Sequence, residues 1–228
     1  MKEAAPPAAG GPSIQNSIAQ DSAGHDPSAQ EPSGHDPSTH ECTVQLHSFE
    51  DRAAKARSAI CELLERDDVL ILDTETTGVG DAEVIELSLI DTSGTVLLDT
   101  LVRPRRSRMN PYAQRIHGIS SEMLADQPSW PEVLPELELI AGSATLLAWN
   151  AQFDRQMLVN SSRAWELDPP RLLFVCAMRL YAQLHGRRGY GLHRAIGDRG
   201  MQHLFEQHAS HRALGDVQLV LELLRACR

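Results

Sequence analysis

Val69-Leu70-Ile71-Leu72-Asp73-Thr74-Glu75-Thr76-Thr77-Gly78 runs four apolar residues straight into two carboxylates one residue apart, then into small hydroxylated residues and a glycine. This is the pattern of a buried strand that delivers acids to the end of a sheet. Side chains at i and i+2 of a strand share a face, so Asp73 and Glu75 project the same way. At that separation they repel each other unless a divalent cation lies between them, which makes a metal site the first reading.

Working outward, residues 78–81 form a turn, Glu83 to Ile90 reads as a second strand, Thr92-Ser93-Gly94 is a turn signal, and Val96 to Val102 reads as a third strand. Connections this short imply an antiparallel meander. Arg103, Arg105, Arg106 and Arg108 follow. Clustered guanidinium groups beside an acidic site would suit a phosphate backbone, although an arginine run in a loop is more often solvated. Upstream, Ser48 is placed to cap a helix with Asp51 at the capping-box position, and Ala53, Ala56, Ile60, Leu63 and Leu64 recur at helical spacing.

Downstream, Pro111 to Ile116 suits a short helix ending at His117-Gly118-Ile119, and Ser120 or Ser121 can cap another. Trp130 to Ile140 is helical in pattern, with Pro135 as an irregularity. Ala144 to Trp149 is a fourth strand, parallel to the first because a helical crossover precedes it. Asn150 opens the next helix, and Asp154 lies one turn into it, just past the C-terminal end of a strand, where open α/β sheets bind ligands. Leu172 to Val175 is a fifth strand, followed by helices around 178–184 and 192–196 among several glycines, and by a last helix from about His211 to Cys227.

Residues 1–47 contain no Phe, Trp or Tyr and are dominated by small and polar types, so a disordered low-complexity tail is expected there. Gly24-His25-Asp26-Pro27-Ser28 recurs as Gly34-His35-Asp36-Pro37-Ser38, which reads as a duplicated low-complexity tract. A leading helix over 48–66 and a core over 69–228 complete the expected organisation. The net charge of -10 argues against broad electrostatic attraction to nucleic acid, but half of it sits before Ser48, where six acids face Lys2 alone. Of the 21 basic residues only Lys2 and Lys55 are lysine, which fits a compositional bias. Cys42, Cys61, Cys176 and Cys227 show no paired or zinc-finger spacing, so reduced thiols and a cytoplasmic setting are expected. No stretch approaches the roughly eighteen apolar residues of a membrane span, and no secretory leader pattern opens the sequence.

Three separated segments therefore bring acids to sheet ends or helix starts: Asp73 with Glu75, Asp154, and Asp216, the last preceded by His211. Five residues along one helix is about 500°, so His211 and Asp216 would diverge by roughly 140°. They serve one site only if His211 sits ahead of the helix body. The DTETTG box, the box from Asn150 to Phe153-Asp154, and the pair His211 and Asp216 together resemble the three motifs of the DEDD exonuclease superfamily, histidine subgroup, which includes the proofreading epsilon subunit of DNA polymerase III, ribonuclease T and oligoribonuclease.

That resemblance spans about Val69 to the C-terminus and implies an α/β ribonuclease H-like fold, a mixed five-stranded sheet flanked by helices. It implies two Mg2+ or Mn2+ ions held by Asp73, Glu75, Asp154 and Asp216, with His211 deprotonating the attacking water. Four hard oxygen ligands suit such ions, and an imidazole titrates nearest neutrality. By the same resemblance Thr76, Thr77, Gly78, His117, Asn150 and Phe153 are candidate substrate contacts. Two departures stand out: Trp149 where many members carry His or Tyr, and Gly215 where an acid is common.

The expected activity is metal-dependent 3'-5' exonucleolytic release of nucleoside 5'-monophosphates from single-stranded nucleic acid with a free 3'-end. DNA is the first choice, and RNA trimming or a non-catalytic nucleic-acid-binding module are the alternatives. The sequence ends with the helix of the third motif, so a stand-alone nuclease, or one tethered to a protein partner through its N-terminal tail, is expected rather than a standard replicase subunit.

Overall fold

Ser48 and Asp51 close the capping box expected of them: the Ser48 hydroxyl accepts from the Asp51 N–H and the Asp51 carboxylate accepts from the Ser48 N–H, each at 3.1 Å. Helix α1 (Phe49–Leu64) starts there and buries Ala56, Ile60, Leu63 and Leu64. The structure, a computed structural model, describes residues 48–228 except Ser107, Tyr190 and Ser210. The tail expected over residues 1–47, its repeat and Cys42 lie outside the described residues.

The remaining elements follow as β1 (Val69–Thr76), β2 (Val84–Asp91), β3 (Val96–Leu101), α2 (Pro111–His117), α3 (Ser121–Leu124), α4 (Trp130–Ala141), β4 (Thr145–Ala148), α5 (Ala151–Ala164), β5 (Leu173–Cys176), α6 (Ala177–Leu184), α7 (Leu192–Asp198), α8 (Leu204–Gln207) and α9 (Ala213–Arg225). The strands form one mixed sheet in the order β3-β2-β1-β4-β5. β1, β2 and β3 pair antiparallel, as the short turns require, while β4 is parallel to β1 and β5 to β4.

Why the first strand reads as unbroken apolar sequence is now plain, because both sheet faces are covered. Leu70 and Leu72 pack with Trp130, Leu134, Leu137, Met157 and Leu158 of α4 and α5. Ile71 faces the opposite way, into a core with Ile60, Tyr181, Val217 and Val220 from α1, α6 and α9. Each such aliphatic side chain contributes about 1.5–3 kcal/mol on burial.

Two expectations shift. The last helix begins at Ala213 and not at His211, because Arg212 is extended (φ -130°, ψ 137°) and His211 is left-handed (φ 60°). The short α8 was not anticipated; it spans barely one turn, too short for a periodic signal. Cys61, Cys176 and Cys227 are free thiols, and no helix among the described residues is long and apolar enough to cross a membrane.

Candidate active site

The parallel ladder between β1 and β4 stops at Ile71↔Leu147, well short of Thr76. On its other edge β1 stays paired to β2, with Asp73 opposite Ser88 and Glu75 opposite Glu86. The acids thus leave the sheet where one edge of the strand has opened, at the carboxyl ends of β1 and β4. Thr74 points to the α5 face and donates its hydroxyl to Asp154 Oδ1 at 2.9 Å, in a buried setting. That bond holds the Asp154 carboxylate against the strand that carries Asp73 and Glu75.

The opposite face is built by α9. Asp73, Glu75 and Asp216 bring one carboxylate oxygen each within 4.8 Å of one another. His211 lies just ahead of this helix, and its backbone N–H donates to Asp216 Oδ1 at 3.1 Å. The segment that presents it is tied to the same helix elsewhere, since His208 Nδ1 meets Gln218 Oε1 at 2.8 Å. Gly215 makes that approach feasible: a Cβ there would lie 2.0 Å from the Ala209 carbonyl oxygen. The missing side chain at this position is a packing requirement, which the low helix propensity of glycine concealed.

Glu86 and Arg212 were not singled out in the sequence. Glu86 is buried on the α9 face of β2 and accepts from Arg212 Nε at 2.9 and 3.0 Å, from Arg212 Nη2, and from the Ala213 N–H at 2.9 Å. This carboxylate anchors the first turn of α9 and brings a guanidinium beside Glu75. Its signal was a charged residue at an inward position of a covered strand, a placement rare without a partner.

Burial, followed by repulsion from Asp154, Asp216 and Glu75, holds the Asp73 carboxyl well above its ordinary range. Burial, then Asp216 and Glu86, raises Glu75 to about 8, with Arg212 opposing. Burial likewise lifts Asp154 to about 7 against the Thr74 hydrogen bond. For His211, burial and then the neighbouring His193 push the imidazole below its usual value, which favours the neutral form that accepts a proton. A buried, acceptor-only cluster with so little positive charge suits hard divalent cations, which bind carboxylate oxygens and relieve this repulsion.

The candidate substrate residues divide. Thr76 donates to the Gly78 carbonyl at 2.6 Å, and Thr77 accepts from the Glu83 N–H at 3.1 Å, so both hydroxyls shape the turn. Asn110 packs 3.2 Å from where a Gly78 Cβ would be. His117 is buried; its Nδ1 accepts from the Ile119 N–H at 3.0 Å, while its Nε2 lacks a partner of good geometry among the described residues. Asn150 and Phe153 line a cavity of about 300 Å3 with Gly80. Trp149 is core, packed on Tyr181 with ring centroids 5.7 Å apart, so this departure is a packing matter.

In the arginine loop, buried Glu83 accepts from the backbone N–H groups of Arg105 and Arg106 at 2.8 and 2.7 Å. Arg105 lies over the Trp165 ring at 5.2 Å and Arg106 pairs with Glu166 at 3.3 Å. These two arginines tie the loop to the end of α5.

A mixed β3-β2-β1-β4-β5 sheet with four acids gathered at the end of β1 and the starts of α5 and α9 defines a nuclease of the ribonuclease H-like class. Residues 70–224 match the exonuclease family of the RNase T type, and the chain belongs to that family, among the DEDDh 3'-5' exonucleases. It is 30% identical over 171 residues to an exonuclease of Escherichia phage 186, a match covering 70% of this chain and 88% of the phage protein. To exodeoxyribonuclease 10 of Escherichia coli it is 34% identical over 116 residues, covering 50% of this chain and 47% of that one, so it spans about half the length of that relative. Among solved structures, exonuclease X in complex with 5' overhanging duplex DNA superposes with a TM-score of 0.53 at 29% identity, over 68% of this chain and 89% of that chain.

Proposed function

We propose that this protein is a two-metal 3'-5' exonuclease acting on DNA. The observation that carries the reading is the convergence of Asp73, Glu75 and Asp216 within 4.8 Å, from two different elements, with His211 tethered to Asp216. Asp73, Glu75, Asp154 and Asp216 are the residues to hold two Mg2+ or Mn2+. Bound there, such ions would supply Lewis-acid polarisation of the scissile phosphate and charge stabilisation for the leaving 3'-oxygen.

The chain's own groups do the rest. Neutral His211 takes the proton of the attacking water, and its backbone tie to Asp216 keeps the ring beside the carboxylates. Thr76, Thr77 and Gly78 form a turn against Asn110 immediately after Glu75, a placement that suits a strand terminus over a continuing chain. The cavity of Asn150 and Phe153 can take the base or sugar of the terminal nucleotide, while the buried His117, facing the Thr76 backbone, supports the turn from beneath. DNA is preferred because exodeoxyribonuclease 10 and the DNA-bound exonuclease X are among the similar proteins.

The upstream strand has a path of its own. Asn150 and Gln152 line both that cavity and a groove of about 620 Å3 with Arg155 and Arg179. Arg179 continues into a groove of about 890 Å3 with Arg52, Arg187 and Arg188. Guanidinium groups lining grooves that adjoin the Asn150 and Phe153 cavity suit a phosphate backbone.

The test is to incubate 5'-labelled single strands of DNA and of RNA with the protein and Mg2+ or Mn2+. Progressive shortening from the 3'-end, faster with DNA, is expected, and Asp73→Ala should abolish it while leaving the circular dichroism spectrum unchanged. Faster RNA shortening would overturn the substrate choice. Turnover surviving in Asp73→Ala would overturn the metal assignment.

A further inference from the structure

A second histidine faces the same carboxylate. His193, on α7, places Nε2 3.4 Å from Asp216 Oδ1, and its ring meets the His211 ring edge-on with centroids 4.0 Å apart. On its other side Phe205 packs edge-on at 5.2 Å, which fixes the plane of the ring. His193, His211 and Asp216 thus offer two imidazole nitrogens and one oxygen within 4.8 Å of one another, from three separate segments.

This donor set differs in kind from the all-carboxylate cluster. Two nitrogens and one oxygen with a fourth position open is a tetrahedral set for Zn2+ or a similar borderline cation, whereas Mg2+ prefers oxygen ligands in an octahedron. Zn–N and Zn–O bonds of about 2.0–2.2 Å put neighbouring ligands of a tetrahedral ion roughly 3.4 Å apart. The His193 and Asp216 pair already stands at that spacing, and small side-chain rotations of His211 close the remainder.

We propose that His193, His211 and Asp216 form a Zn2+ site that shares Asp216 and His211 with the catalytic cluster and whose occupancy switches the exonuclease off. Zinc there would occupy the ring nitrogen lone pair that His211 needs to accept a proton, and would compete for Asp216, which both donor sets share. The binding claim stands on the three side chains alone; the inhibitory claim rests on the exonuclease reading above.

The test begins with chelator-treated full-length protein and Co2+ as the probe. One equivalent should give the intense visible absorption of four-coordinate cobalt, and one equivalent of Zn2+ should abolish it. The signal should persist in Asp73→Asn, which touches only the carboxylate cluster, and vanish in His193→Asn. Zn2+ affinity in that variant should fall on the order of tenfold or more, since even residues that merely support a metal ligand are worth that much. His193→Gln provides a second variant should the first not fold. In Mg2+, Zn2+ inhibition, referred to each protein's own zinc-free rate, should require correspondingly more zinc in the His193 variants. Absence of a four-coordinate signal in the wild type, or unchanged zinc affinity on loss of His193, overturns the site. Equal inhibition of wild type and variant overturns the switch. If no protein cleaves any strand, the exonuclease reading fails while the cobalt spectra still decide the metal site.

Discussion

A Cβ on Gly215 would sit 2.0 Å from the Ala209 carbonyl oxygen and 2.5 Å from its carbon, both backbone atoms that cannot swing aside as a side chain would. Gly215→Ala therefore sets two effects against each other. Alanine in a helix gains about 1 kcal/mol over glycine, whereas overpacking against backbone costs about 1–3 kcal/mol. At 2.0 Å the clash wins, so the melting temperature should fall, and activity should fall further than stability because the displaced segment carries His211. Calorimetry and the 3'-end assay on one preparation check this; a more stable, fully active variant would refute it. In the sequence Gly215 showed only as a departure from a family pattern, since its reason lies in Ala209, which helix periodicity does not bring close. The carboxylates were legible because each sits at a periodic strand end or helix start. His193 was not, because nothing in a sequence links a residue of α7 to one of α9.

Strands β1 and β2 and helix α9 gather four buried or half-buried acids, Asp73, Glu75, Glu86 and Asp216, beside the guanidinium of Arg212. Glu75 has its folded value raised to about 8 against an unfolded value near 4 for a free carboxylate. The folded state then binds more protons across that window than the unfolded state. Stability of metal-free protein is consequently lost as pH rises from about 4 towards 8. The depressed imidazoles of His117, His185 and His211 act in the opposite sense, adding stability as pH rises through the ordinary histidine range. The acid contribution is isolated by difference. Glu75→Gln should melt higher than wild type at pH 8 without metal, and the gap should narrow towards pH 5. Added Mg2+ should raise the wild-type melting temperature most at the alkaline end, where the cation replaces protons. A gap that does not change with pH would show that the cluster carries no such penalty. The meander and the parallel crossover were legible from turn length and helix placement. The opening of β1 beyond Ile71, which lets acids from both faces meet, depended on the shortness of β4, and strand ends are set by tertiary pairing more than by local pattern.

Across the whole molecule, a net charge of -10 coexists with a connected arginine groove. The bulk charge repels nucleic acid at long range, while Arg155 and Arg179, then Arg52, Arg187 and Arg188, line a continuous route away from Asn150. A strand short enough to occupy only the cleft gains nothing from those groups; a longer one crosses them. The Arg155→Glu, Arg179→Glu double variant should therefore weaken binding of a long single strand on the order of tenfold or more at low salt, since each lost phosphate contact steepens the affinity loss. Its effect on a dinucleotide should be much smaller. Added salt should shrink the difference between variant and wild type, because released counterions supply part of the wild-type affinity. Fluorescence anisotropy with strands of graded length, in Ca2+ to hold turnover low, reads this directly. Equal weakening for dinucleotide and long strand would place the damage in the cleft itself and rule out the groove as the upstream path.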